Sequence, residues 1–260
     1  MCGRYVLVTP PPVLASRFGA RLAPGVEERF VPSYNVAPTR TVLGVAAGAD
    51  GERVLDAYRW GLVPSWARDA SIGTRLFNAR AETLARKPAF RAAFARRRLA
   101  VVADGFYEWR REPAGRRQPF FLSRPDGAPL AFAGLWESWR DPGRPDDPGA
   151  SVRSCTIVTT AANEDVAPVH DRMPALLEAG ALDAWLDPLA DLEELEALLR
   201  SPRGGTLVRR PVDRRVGDVR NDSPALLAER EAASDPRVAE RRRPAPRRAG
   251  RSGAAQGPAG

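Results

Sequence analysis

Four residues of this 260-residue chain have the types and settings for chemistry: Cys2, Asn78, Glu108 and His170. Cys2 follows the initiator methionine. If Met1 is removed, the thiol and a free α-amine lie on adjacent carbons, forming a 1,2-aminothiol. The amine can condense with an aldehyde to a Schiff base, and the thiol can then close a five-membered thiazolidine. Both groups titrate near neutrality, the amine at about 7.7–8 and the thiol at about 8.5. The alternative is a cysteine that follows the start codon by chance.

His170 is the single histidine, in His170-Asp-Arg-Met-Pro174. Proline and charges read as a loop there, and an ordinary pKa of about 6.5 suits a general acid or base. A purely structural histidine is the other reading. Glu108 lies in Asp104-Gly-Phe-Tyr-Glu-Trp-Arg110. Its aromatic neighbours predict a semi-buried carboxylate whose pKa rises by desolvation, making it a proton shuttle. A strand glutamate facing water is the alternative. Asn78-Ala-Arg-Ala-Glu82 offers an amide, a guanidinium and a carboxylate within one turn of chain. Asn78 could orient a reacting group while Arg80 takes a phosphate, a role the arginine fork suits. A helix cap with surface charges competes with that reading. Of the tryptophans, Trp66 sits in a loop beside Pro64 and Arg68, where it can stack on an exposed base. Most of Trp60, Trp109, Trp136, Trp139 and Trp185 read as core.

Composition narrows the chemistry. One histidine and two cysteines make no cluster for zinc, and no metal or cofactor is expected. Two cysteines are no disulfide framework, so a reducing compartment fits, with Cys155 as a buried strand residue. No phosphate-loop, dinucleotide or metal-dependent hydrolase motif is present. Lys87 is the only lysine, so a lysine Schiff base has a single candidate. No stretch approaches the ~20 apolar residues of a membrane span, and the first residues lack a signal-peptide pattern. A cytoplasmic protein is expected. The net charge is +8. Residues 235–260 carry seven arginines against Asp235 and Glu240, which leaves the remainder only mildly basic.

These residues need elements to position them. Strands are expected at residues 4–8, 41–47, 53–60, 99–103, 106–110, 120–123, 130–136, 154–160 and 206–212, with a hairpin turn at 48–51. Helices are expected at 10–18, 78–87, 88–98, 182–186 and 192–200. Residues 31–39 read as an extended, proline-punctuated segment. Strands outnumber helices and arrive in runs, which indicates a single α+β domain with mainly antiparallel pairing. That domain is assigned to residues 1–230. Residues 231–260 form a tail rich in Arg, Pro, Ala and Gly, expected to be disordered.

Seven separated motifs occur in one order: Met1-Cys-Gly-Arg-Tyr5, Tyr34-Asn-Val-Ala-Pro-Thr39, Trp60-Gly-Leu-Val-Pro-Ser-Trp66, Asn78-Ala-Arg-Ala-Glu-Thr83, Ala103-Asp-Gly-Phe-Tyr-Glu-Trp109, Thr159-Thr-Ala-Ala-Asn163 and His170-Asp-Arg-Met-Pro174. This set closely resembles the SOS-response-associated peptidase (SRAP) family, from residue 1 to about 225. The resemblance implies an α+β domain with a barrel-like β core flanked by helices. It implies a protein that senses abasic sites in single-stranded DNA during the DNA damage response. The processed Cys2 would bond covalently to the sugar aldehyde as a thiazolidine, shielding the site. Asn78 would hold the linkage, and Glu108 and His170 would move protons. Arg4, Arg80, Arg172, Trp66 and Trp109 would contact the DNA. The family name implies autoproteolytic removal of Met1, with peptidase (hydrolase) and lyase-like activity. The implied partner is abasic single-stranded DNA, bound by a monomer that is nucleoid-associated when on DNA. A cysteine peptidase acting on other proteins through Cys2 and His170 is the second reading. The arginine-rich tail departs from the family core, as does Leu99, where relatives often have Cys.

Overall fold

A computed structural model describes residues 2–229. It begins with β1 (Tyr5–Leu7), α1 (Pro11–Phe18), β2 (Arg21–Leu22), α2 (Val26–Arg29), β3 (Ser33–Val36), β4 (Thr41–Ala47), β5 (Arg53–Trp60) and β6 (Asn78–Arg80). It continues through α3 (Arg91–Arg96), β7 (Arg98–Ala103), β8 (Gly105–Arg111), β9 (Arg117–Ser123), β10 (Leu130–Arg140), β11 (Ser151–Ala161) and β12 (Arg172–Pro174). The last elements are α4 (Ala179–Leu186), α5 (Leu192–Leu198) and β13 (Val208–Pro211). The tail assigned to residues 231–260 lies outside the described residues.

β4 and β5 form the hairpin that their sequences predict, paired from Thr41↔Arg59 to Ala47↔Arg53. β4 also pairs with β7, β7 with β10 and β10 with β11, all antiparallel. The ring closes where β11 meets β5 in parallel, at Ser154↔Arg59 and Cys155↔Trp60. Closure pairs these five strands with one another around the barrel, and β11 runs on beyond the β5 contact with an edge left for β6 and β12. β7 is buried along its whole length, which explains the unbroken apolar run from Leu99 to Ala103. A second, five-stranded sheet runs β13-β9-β8-β1-β3. The architecture is the expected α+β domain with a mainly antiparallel, barrel-like core.

Between these sheets lies an aromatic cluster. Tyr5 packs on Trp60 with ring centroids 5.3 Å apart and meets Phe132 edge-on at 6.2 Å. Phe106 meets Phe132 at 5.8 Å. All four rings are buried, and burial stabilises each by roughly 1.5–3 kcal/mol. Tyr5 therefore anchors the first residues of the chain to the barrel.

Three local expectations change. Residues 78–87 do not form a helix. Asn78–Arg80 pairs in parallel with β11, at Ile157↔Asn78 and Thr159↔Arg80, and a single 3₁₀ turn, Ala81–Thr83, follows. The edge of β11 offers this backbone a ladder, and that tertiary partner overrides helical propensity. The helix expected at 88–98 shrinks to Arg91–Arg96, because Arg98 already pairs with Leu135 in the barrel. The loop expected at 170–174 contains β12, paired with β11 at Thr159↔Pro174 and Ala161↔Arg172.

Candidate active site around Cys2

Cys2 is fully buried. Its arm is fixed from two sides. The β1–β8 register, Tyr5↔Phe106, runs on through a Tyr107 N–H that donates to the Arg4 carbonyl at 2.9 Å. That antiparallel register brings Glu108 level with Gly3. From β6, Asn78 Nδ2 donates to the Cys2 carbonyl at 2.6 Å. Asn78 Oδ1 is buried and accepts no hydrogen bond. An orphan acceptor in a buried site is costly unless a ligand supplies the donor.

Glu108 is 2% exposed. Burial, with a smaller push from the negative charge of Asp171, raises its pKa to about 7. A carboxyl group poised there can both take and give a proton at neutral pH. The Cys2 thiol is pushed well up, first by burial and then by the charge of Glu108. Cys2, Asn78 and Glu108 are thus brought together, with the His170–Asp171 loop alongside.

His170 is partly buried. The Arg172 N–H donates to its Nδ1 at 3.0 Å, and Asp171 Oδ1 lies 2.9 Å from the same atom. These two contacts exclude one another in strength, because a nitrogen that accepts an N–H cannot also donate to a carboxylate. Burial lowers the His170 pKa, with Asp171 opposing and Arg111 reinforcing the shift. The neutral ring therefore prevails, with Nδ1 accepting and the proton on Nε2.

The other expected contacts divide by exposure. Trp66 is 60% exposed. Its loop is pinned by Trp139 Nε1 donating to Ala67 O at 2.7 Å and by Val63 N donating to Ser154 Oγ at 2.8 Å. The loop leaves β5 through Gly61, whose φ of 131° and close approach to the Gly73 carbonyl leave no room for a side chain. Arg80 is exposed on β6 and Trp109 is partly buried on β8. Arg172 donates to both carboxylate oxygens of Glu82 and to Thr159 O at 2.6 Å. Arg4 turns inward: Nη1 donates to Asn35 Oδ1 at 2.9 Å and to Val216 O at 2.8 Å, with its guanidinium carbon 6.0 Å from the Trp109 ring centre.

Two residues with no assigned role do positioning work. Asn35 is buried, and its Nδ2 donates to the carbonyls of Val216, Asp218 and Asn221 while its Oδ1 holds Arg4. Glu82 holds Arg172. Glu82 had a local signal, its place in the Asn78–Glu82 run; the carbonyl partners of Asn35 lie about 180 residues away, beyond any local signal. Among the described residues no group of three or more His, Cys, Asp or Glu could hold a metal ion.

The family model for SOS response associated peptidase (SRAP) matches residues 1–219. The chain belongs to the SRAP family. Among relatives, it is 36% identical over 229 residues to "Abasic site processing protein YoqW" of Bacillus subtilis (strain 168), covering 87% of this chain and 99% of that protein. It is 34% identical over 231 residues to "Abasic site processing protein HMCES" of Gallus gallus, covering 77% of this chain and 67% of that protein. A solved structure from Bacteroides thetaiotaomicron shares the fold with a TM-score of 0.77 at 22% identity, covering 88% of this chain and all of that one. A Bordetella bronchiseptica protein aligns with a TM-score of 0.68 at 26% identity, covering 82% of this chain and 100% of that one. The SRAP motifs read from the sequence all fall within or at the rim of this site and its supporting strands.

Proposed function

We propose that this SRAP protein processes abasic sites in single-stranded DNA by bonding to them through Cys2. The observation that carries the reading is Asn78, with Nδ2 on the Cys2 carbonyl and a buried Oδ1 without a donor, beside the raised carboxyl of Glu108. The names of its relatives supply the substrate class.

Hydrolysis of the Met1–Cys2 bond consumes one water and frees the Cys2 amine. An abasic sugar equilibrates between a closed ring and an open aldehyde, and only the aldehyde reacts. His170, neutral with its proton on Nε2, can donate a hydrogen bond to the ring oxygen as the ring opens, and the proton that oxygen gains is the one the anomeric hydroxyl gives up. Glu108 near its midpoint takes a proton from the α-ammonium. The amine adds to the aldehyde carbon, Glu108 returns its proton to the departing hydroxyl, and loss of one water gives the protonated Schiff base. The thiol sulfur then adds to the same carbon, its proton passing to Glu108, and the thiazolidine closes. Net, one C–N and one C–S bond form and one water leaves. The free Asn78 Oδ1 can accept from the amine or from a sugar hydroxyl. Arginine–phosphate contacts position the strand without reading bases, so the lesion sets specificity. Arg80 is presented for this, and Trp66 for stacking on a base. Arg4 acts from beneath, holding the arm.

A protease working on other chains through Cys2 would need a lowered thiol pKa. Burial pushes this thiol the other way. The test is to mix processed protein with a single-stranded oligonucleotide carrying one abasic site and run a denaturing gel. A shifted band that survives denaturation, and that Cys2→Ala abolishes, is the expected outcome. A processed protein that gives no such band sinks the proposal.

A further inference from the structure

The β8–β9 hairpin carries a charge pattern that the reaction at Cys2 does not use. Its tip, Arg110-Arg-Glu-Pro-Ala-Gly-Arg-Arg117, holds four arginines and one carboxylate. Arginine is common throughout this chain, so the number alone decides nothing. The register decides. Arg111 stands directly opposite Arg117 in the antiparallel ladder, on the face shared with Trp109. Like charges facing one another across a strand pair oppose hairpin formation. The one nearby carboxylate offers no relief, because Glu112 already pairs with Arg110 at 3.4 Å and with Arg214 at 3.1 Å. Arg111, Arg116 and Arg117 are exposed. No ion pair or side-chain hydrogen bond holds any of the three among the described residues.

This patch also lies on the rim of the site. β8 carries Glu108, and Arg111 follows three residues later, ~10 Å along the strand and on the opposite face, the one that carries Trp109. The charge of Arg111 is one of those felt by His170.

We propose that the tip of the β8–β9 hairpin is a second phosphate-binding arm, in which Arg111, Arg116 and Arg117 hold the backbone of the single strand beyond the reacting nucleotide. The arm rests on the abasic-strand reading above for its ligand. Guanidinium forks bind phosphate oxygens in pairs, and a bound strand neutralises the cross-strand repulsion.

The test uses the full chain and its R116Q/R117Q variant, which keeps Arg111 because its charge reaches His170. Affinity for a long, undamaged single strand is measured across a salt series by fluorescence anisotropy. Crosslinking is measured separately on a trinucleotide with the abasic site in the middle. The slope of log affinity against log salt should become shallower by ~1.4, from ~0.7 per lost phosphate contact. Trinucleotide crosslinking should keep its yield and rate, and the thermal midpoint should hold or rise. An unchanged slope overturns the arm. So does equal damage to trinucleotide crosslinking, or a fall in thermal midpoint, since either would place the arginines in the reacting centre or in the fold. If the parent protein fails to crosslink the trinucleotide, the covalent reading fails by itself, and the slope on undamaged strand still decides the arm.

Discussion

Glu108 shows how one side chain ties stability to chemistry. Its ordinary pKa is 4.5, and the folded value is about 7. Between those values the folded protein holds a proton that the unfolded chain has lost. Stability contributed by this group is therefore complete below about pH 4.5 and falls as pH rises through 7, by on the order of 3 kcal/mol in all. His170 works the other way: its lowered pKa means folding stability is lost as pH falls below its ordinary value near 6.5. Comparing Glu108→Gln with the parent separates the two, because both proteins keep His170. The variant should gain stability relative to the parent between pH 5 and pH 8, read by denaturant unfolding. Its crosslinking rate should also lose the limb that titrates near neutrality. Parallel stability curves would show that Glu108 is not held in its neutral form by burial. The raised carboxyl was legible in the Phe-Tyr-Glu-Trp run, since aromatic neighbours mean desolvation. The inward turn of Arg4 was not, since its acceptors, Asn35 and Val216, are 31 and 212 residues away.

At the scale of elements, single buried groups decide where helices stop. Arg98 is 5% exposed and opens β7. Its Nε donates to Trp185 O at 2.7 Å, and its Nη1 donates to Phe94 O at 2.9 Å and Ala95 O at 2.7 Å. Nη2 donates to Asp187 O. One guanidinium thus satisfies carbonyls at the C-terminal ends of both α3 and α4, which have no partner within their own helices. Arg98→Met keeps the apolar stem and removes every donor. It should cost ~2–4 kcal/mol in unfolding free energy, with faster amide exchange in α4. A loss below ~1 kcal/mol would mean water replaces the guanidinium there. The same residue explains why the helix expected at 88–98 ends early: a side chain that caps two helices cannot also continue one. The strand at residues 78–80, in place of a helix over 78–87, has a similar source. Local propensity favoured a helix, while the open edge of β11 supplied hydrogen bonds that propensity does not register.

For the molecule as a whole, charge and fold are separable. The described residues fall in one compact unit, whereas the arginine excess is concentrated after residue 235. Deleting residues 231–260 should leave the thermal midpoint unchanged. It should weaken salt-dependent binding to undamaged single strand, with the log–log slope shallower by more than ~2. A drop in thermal midpoint would mean that the segment belongs to the folded unit.

The sequence by itself determined the class of fold, the hairpin of β4 and β5, the buried β7 and the identity of the residues with reactive side chains. These depend on local pattern, on side-chain chemistry and on motif order, all of which are written along the chain. Only the tertiary structure decided that the barrel closes through the short β5–β11 contact, that Asn78 sits on a strand against the Cys2 carbonyl, and that Asn35 and Glu82 hold the arginines of the site. Each of those is a pairing between distant segments, set by which backbone edge is left open and which buried polar group lacks a partner until the chain has folded.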